Sequence, residues 1–186
     1  PINFTISQVA TSTALTAQQT AQSLTLTATV SASGNSSPPT GPITFSNGST
    51  VLATVYLGNG ASVGGTTQAT ATFDGTQLAA GQYSITASYP GDTNYTPSNS
   101  TAVPLNLVSD FGVYSRGILS QTVSAGQTAN YINDIGVTPL FGFSAPISVT
   151  CTVPVQATTC TVTPSSLPTA SGPNIASMSV TTTIRA

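Results

Sequence analysis

Leu24-Thr25-Leu26-Thr27-Ala28-Thr29-Val30 alternates apolar and hydroxylated side chains without a break. A strand turns successive side chains to opposite faces, so this segment has one apolar face and one lined with β-branched threonine. The same period recurs on either side of it. Ile43 and Phe45 flank Thr44, while Ala69, Ala71 and Phe73 flank Thr70 and Thr72. Tyr83, Ile85, Ala87 and Tyr89 alternate with Ser84, Thr86 and Ser88, and Val103, Leu105 and Leu107 follow. Between these runs stand turn formers: Pro38-Pro39-Thr40-Gly41, Asn47-Gly48, Asn59-Gly60, Asp74-Gly75 and Pro90-Gly91-Asp92. No stretch carries the i, i+3, i+4 stripe of an amphipathic helix. Short, half-buried antiparallel strands at this spacing predict an all-β sandwich with no helix longer than a turn or two.

The pattern restarts at Asp110-Phe111. Val113, Val123, the stretch from Tyr131 to Val137, the run Ile147, Val149, Cys151 and Val153, then Cys160 and Val162, and finally Met178, Val180 and Ile184 supply a second set of strands. The expected organisation is an N-terminal strand over residues 1–10, one domain over 11–108 and a second over 109–186.

Composition narrows the chemistry. The 186 residues include no His, Lys, Glu or Trp, and the six charged side chains are Asp74, Asp92, Asp110, Asp134, Arg116 and Arg185. About a third of the residues are Ser or Thr. General acid–base catalysis needs a group that titrates near the working pH, and none is present without a large perturbation. A glycosidase would need two of the four aspartates across a sugar cleft, and nothing in the sequence places two together. Two arginines cannot hold a polyanion, so nucleic acid is excluded as a partner. No apolar run of about 18 residues is present to span a membrane as a helix. Neither cofactor nor metal is expected.

Three stretches carry a family resemblance: Ser23-Leu-Thr-Leu-Thr-Ala-Thr-Val30, Pro39-Thr-Gly-Pro-Ile-Thr-Phe45, and Leu78-Ala-Ala-Gly-Gln-Tyr-Ser-Ile-Thr-Ala-Ser-Tyr-Pro-Gly-Asp-Thr-Asn-Tyr95. Through them residues 11–107 resemble a bacterial Ig-like repeat, found in tandem on large surface proteins. Residues 110–186 are similar to a second Ig-like module of such proteins, through Gln121-Thr-Val-Ser-Ala-Gly126, Phe141-Gly-Phe-Ser144 and the two cysteines. The resemblance implies a tandem pair of Ig-like sandwiches, an extracellular or cell-surface location and a role as spacer or adhesive stalk. It brings no catalytic residue with it.

Individual residues can then be weighed. Tyr83, two positions after Gly81, is placed as a tyrosine corner, its hydroxyl tied back to nearby backbone. Tyr89 and Tyr95 bracket a turn, where packing is favoured over a sugar-stacking platform. Asp92 and Asn94 have a spacing seen in calcium loops, but calcium takes six to eight oxygens, so an Asx turn is the expected reading. Cys151 and Cys160 share strand parity with apolar neighbours and lie close in sequence. A structural disulfide fits them better than a zinc site short of ligands or a redox dithiol with no base beside it. The five Asn-x-Ser/Thr sequons are close to chance in a chain this rich in Ser and Thr.

The N-terminus poses a separate question. Ile2, Phe4 and Ile6 share one strand face ahead of a domain whose strands are already accounted for. The second domain counts about six strands where Ig-like sandwiches have about seven. Head-to-tail strand complementation between copies, anchored by Ile2, Phe4 and Ile6, would explain both ends. So would a longer array of neighbouring repeats, with this strand closing the one before. The expected function is a non-catalytic extracellular structural subunit of a filament or stalk. Its alternative is an adhesive module that binds surface glycans through loop tyrosines.

Overall fold

A computed structural model describes residues 7–20, 23–34, 37–117, 120–152, 158–168 and 174–182. The chain divides into two compact units, Pro1–Val108 and Ser109–Ala186. Among the described residues there are strands and turns but no helix.

Among the described residues the first unit holds nine strands: β1 (Thr11–Gln19), β2 (Leu24–Ser33), β3 (Pro42–Asn47), β4 (Thr50–Tyr56), β5 (Ala61–Val63), β6 (Thr66–Asp74), β7 (Gly81–Tyr89), β8 (Ser98–Asn99) and β9 (Val103–Leu107). One sheet runs β1-β2-β6-β5; the other runs β4-β3-β7, with β8 and β9 both pairing β7. All these ladders are antiparallel. The Leu24–Val30 alternation sets the burial: Leu24, Leu26, Ala28 and Val30 are sealed while the threonines between them stay half-exposed. Leu26, Ala28 and Val30 meet Ile43, Phe45, Ile85, Ala87 and Tyr89 from the opposite sheet, and Tyr95 from the chain after β7, in a single core. Gly48-Ser49 makes the β3–β4 turn, closed by Asn47 opposite Thr50, with Gly48 at φ +58°.

The second unit holds β10 (Asp110–Ser115), β11 (Thr128–Leu140), β12 (Ile147–Ser148), β13 (Thr158–Thr163), β14 (Ser166–Leu167) and β15 (Asn174–Thr182). Its main sheet is β10-β11-β15-β13, and β12 pairs with β14 across from it. Among the described residues Val137, Leu167 and Ala176 are buried together, with Phe111, Ile135, Ile147, Val149 and Val162 packed against them, and Ala129, Leu140 and Phe141 are buried as well. The identity of the strands differs from the reading of the sequence. Val123 lies in irregular chain, and β14, two residues long, carries too little pattern to be read in advance.

Candidate functional site

The loop that follows β7 gathers Tyr89, Asp92, Asn94 and Tyr95, four of the residues that the sequence singles out. Gly91 turns the chain out of β7 at φ +84°, and a Cβ there would come within 2.6 Å of the Tyr95 carbonyl oxygen. Only glycine allows both that conformation and that approach. Asp92 is thereby brought beneath the next turn. Its Oδ1 accepts the N–H groups of Asn94 at 2.8 Å and Tyr95 at 3.0 Å, which is an Asx turn. Its Oδ2 accepts the Thr40 N–H at 2.9 Å and the Thr40 hydroxyl at 2.8 Å, 52 residues away in sequence.

Burial pushes the Asp92 carboxyl up, but the hydrogen bonds from Asn94 and Thr40 outweigh it and hold the group below its ordinary 3.8. Four donors take up the carboxylate's lone pairs, leaving little to offer a cation. Among the described residues no three metal-ligating side chains stand together. Asp74 and Asp110 are likewise engaged locally, by the Thr76 and Phe111 N–H groups at 2.9 Å and 2.8 Å.

Tyr89 and Tyr95 are both at 0% exposure, so neither offers a ring face to a sugar. Tyr95 donates its hydroxyl to the Ser37 carbonyl and lies 3.3 Å from the Thr67 hydroxyl. The Tyr89 hydroxyl is buried beside Asp92 without a hydrogen bond of good geometry. Burial first, and the neighbouring negative charge second, push that phenol far above its usual range. What the sequence offers as a binding loop is a knot that fastens residues 37–41 to residues 90–97.

Tyr83 donates its hydroxyl to the Ala79 carbonyl at 2.9 Å, the geometry of a tyrosine corner. Tyr83→Phe should lower the stability of the first unit by about 0.5–1.5 kcal/mol, the net worth of one such bond, seen as an earlier denaturant midpoint. Cys151 and Cys160 form a disulfide with Cα atoms 6.1 Å apart. It ties the chain after β12 to β13. Reduction should cost the second unit roughly 2–3 kcal/mol, from the freedom that a loop of this size regains on unfolding. The first unit has no cysteine, so its unfolding transition should not move on addition of reductant.

Ile2, Phe4 and Ile6 lie outside the described residues. The chain just after them is fastened to the first unit. The Gln8 side-chain amide donates to the Asp92 carbonyl at 2.6 Å, the Val9 N–H to the Asn94 carbonyl at 2.8 Å, and the Thr96 N–H to the Val9 carbonyl at 2.9 Å. Val9 and Tyr95 thus form a parallel bridge, and the Thr11 hydroxyl reaches the Thr96 carbonyl at 2.8 Å. The sequence gives no signal for this seam, because it joins residues more than eighty positions apart.

The family model that matches the chain is that of the bacterial Ig-like domain (group 3), over residues 10–108. No curated protein and no solved structure matches it.

Proposed function

Because the chain belongs to the bacterial Ig-like domain (group 3) family, we propose that it is a non-catalytic structural module of an extracellular or surface protein, serving as a load-bearing segment of a stalk or fibre. Domains of this family are typically extracellular and generally non-enzymatic. Among the described residues no helix is long and apolar enough to cross a membrane.

The observation that carries the reading is the seam at Val9. A pull on the N-terminal end of the first unit meets this seam before it reaches β1, and draws Val9 against its two backbone hydrogen bonds to Asn94 and Thr96. Val9→Pro deletes the N–H that bonds Asn94 and should lower the unfolding force of the first unit in single-molecule pulling. The force needed for the second unit should stay as it was. An unchanged force for the first unit would remove the load-bearing role. Turnover of a substrate by the purified protein would remove the non-catalytic one.

The finer reading is assembly through strand complementation, with copies of the chain or neighbouring Ig-like repeats as partners. The observation favouring it is the second unit's short pair, β12 and β14, of two residues each, opposite a four-stranded sheet. Among the described residues, a pair this short leaves edges able to accept a further strand. Gln8 and Val9 are committed to the first unit, so a donor would have to come from the residues ahead of them, Ile2, Phe4 and Ile6 included. Concentration-dependent filaments that vanish when residues 1–6 are deleted would support assembly. A monomer at high concentration with those residues present would end it.

A further inference from the structure

The second unit contains a feature that a structural module does not require. A groove of about 460 Å³ opens among β10, β11 and β15, lined by Val113, Tyr114, Tyr131, Asp134, Ile135, Val149 and Met178. That volume is in the range of small-molecule sites. Its walls are aliphatic, aromatic and thioether, with the Ser115 hydroxyl and one charge, Asp134, among them.

Asp134 is 8% exposed, and its Oδ2 has no hydrogen-bond partner among the described residues. Strand alternation would place it with Ile132, which is 71% exposed. A bulge turns it inward instead. The β11–β15 register passes from Tyr131 opposite Met178 to Ile135 opposite Ala176, leaving three residues of β11 against one of β15. Asn133 takes φ +56° within that bulge, and its N–H is held by the Ser177 hydroxyl at 2.9 Å. Bulges of this kind re-aim side chains. Here the side chain re-aimed is a carboxylate, brought into an apolar groove where an unpaired charge is costly. Arg116 donates its backbone N–H to the Asp134 carbonyl at 2.8 Å, while its side chain is exposed.

We propose that this groove binds a small organic ammonium compound, the cationic nitrogen paired with Asp134 Oδ2 and the apolar body lying among Val113, Tyr131, Ile135 and Met178. A metal ion fits poorly, because one carboxylate among apolar walls supplies few of the six or more oxygens that hard cations take. An organic cation needs one counter-charge and an apolar bed, with tyrosine rings favourable to a cation. The groove provides these together.

The test uses the full chain, with phenethylammonium as the probe and 2-phenylethanol as its neutral counterpart. Phenethylammonium should bind at least about tenfold more tightly, as charge pairing in a partly dry groove requires. Amide resonances of residues 113–115, 131–135 and 178 should be those that move. Asp134→Asn should abolish the preference for the charged probe while leaving the second unit as stable as before, or more so, since an unpaired buried charge is gone. Equal affinity for the two probes, no saturable binding, or resonance changes elsewhere would overturn the assignment. A marked loss of stability in Asp134→Asn would also overturn it, because the carboxylate would then be a structural tie.

Discussion

Phe45→Ala should lower the stability of the first unit by about 3–5 kcal/mol, the cost of emptying an aromatic site in a packed core. Phe45 is at 0% exposure on β3 and its ring centroid lies 5.6 Å from that of Phe73. Leu26, Ala28, Val30, Ile43, Ile85 and Ala87 surround it in the same core. These neighbours belong to paired strands of two sheets, so the backbone cannot move in to fill the space. Small domains commonly have only 5–15 kcal/mol in hand, so the variant should sit near its unfolding threshold. Denaturant titration checks this: the midpoint of the first unit should fall with an unchanged slope, and that of the second should stay in place. Val51→Ala, at a side chain 60% exposed, should change stability by no more than about 0.5 kcal/mol. A loss below about 1 kcal/mol for Phe45→Ala would mean that the two sheets are not packed through this ring.

Such a core is easy to read from sequence because alternation is a local property. Leu24, Leu26, Ala28 and Val30 announce their own burial, and nothing distant has to be known. Tyr83 is legible for the same reason, since its partner Ala79 is four positions away. Legibility ends where local pattern is short or interrupted. β5 has three residues and goes unread, although the Gly64-Gly65 pair that joins it to β6 is a hairpin signal. Asp134 is not legible, because the bulge adds two residues to β11 and turns Asp134 inward while Tyr131 and Ile135 keep one face, and the sequence does not mark where a strand will slip. The tie between Asp92 and Thr40 is long-range, and composition at either end does not foretell it. Sequence therefore indicates the sheets well and the fastenings between them poorly.

Asp92→Ala tests the largest of those fastenings and should cost the first unit about 2–4 kcal/mol. Three backbone N–H groups, from Thr40, Asn94 and Tyr95, lose their acceptor together. Charge-assisted bonds are among the stronger ones, and groups in a shared network do not add simply, so the total should fall short of three independent losses. The pH dependence gives an independent check. A carboxyl held below its ordinary 3.8 stabilises the fold above that value, and the contribution is lost as pH falls through the lower folded-state value. Asp74, held low first by the Thr76 hydroxyl and then by the Thr76 N–H, acts in the same direction. The first unit holds no His, Glu, Lys or Cys, so it carries no side chain whose ordinary pKa lies between about 5 and 9. The unfolding midpoint of the first unit should therefore be flat across that interval and fall only below about pH 4. In Asp92→Ala the midpoint should be lower throughout and the acid decline shallower, with the remainder owed to Asp74. A variant that kept the full acid decline would show that Asp92 is not what holds residues 37–41 against residues 90–97, however short its hydrogen bonds.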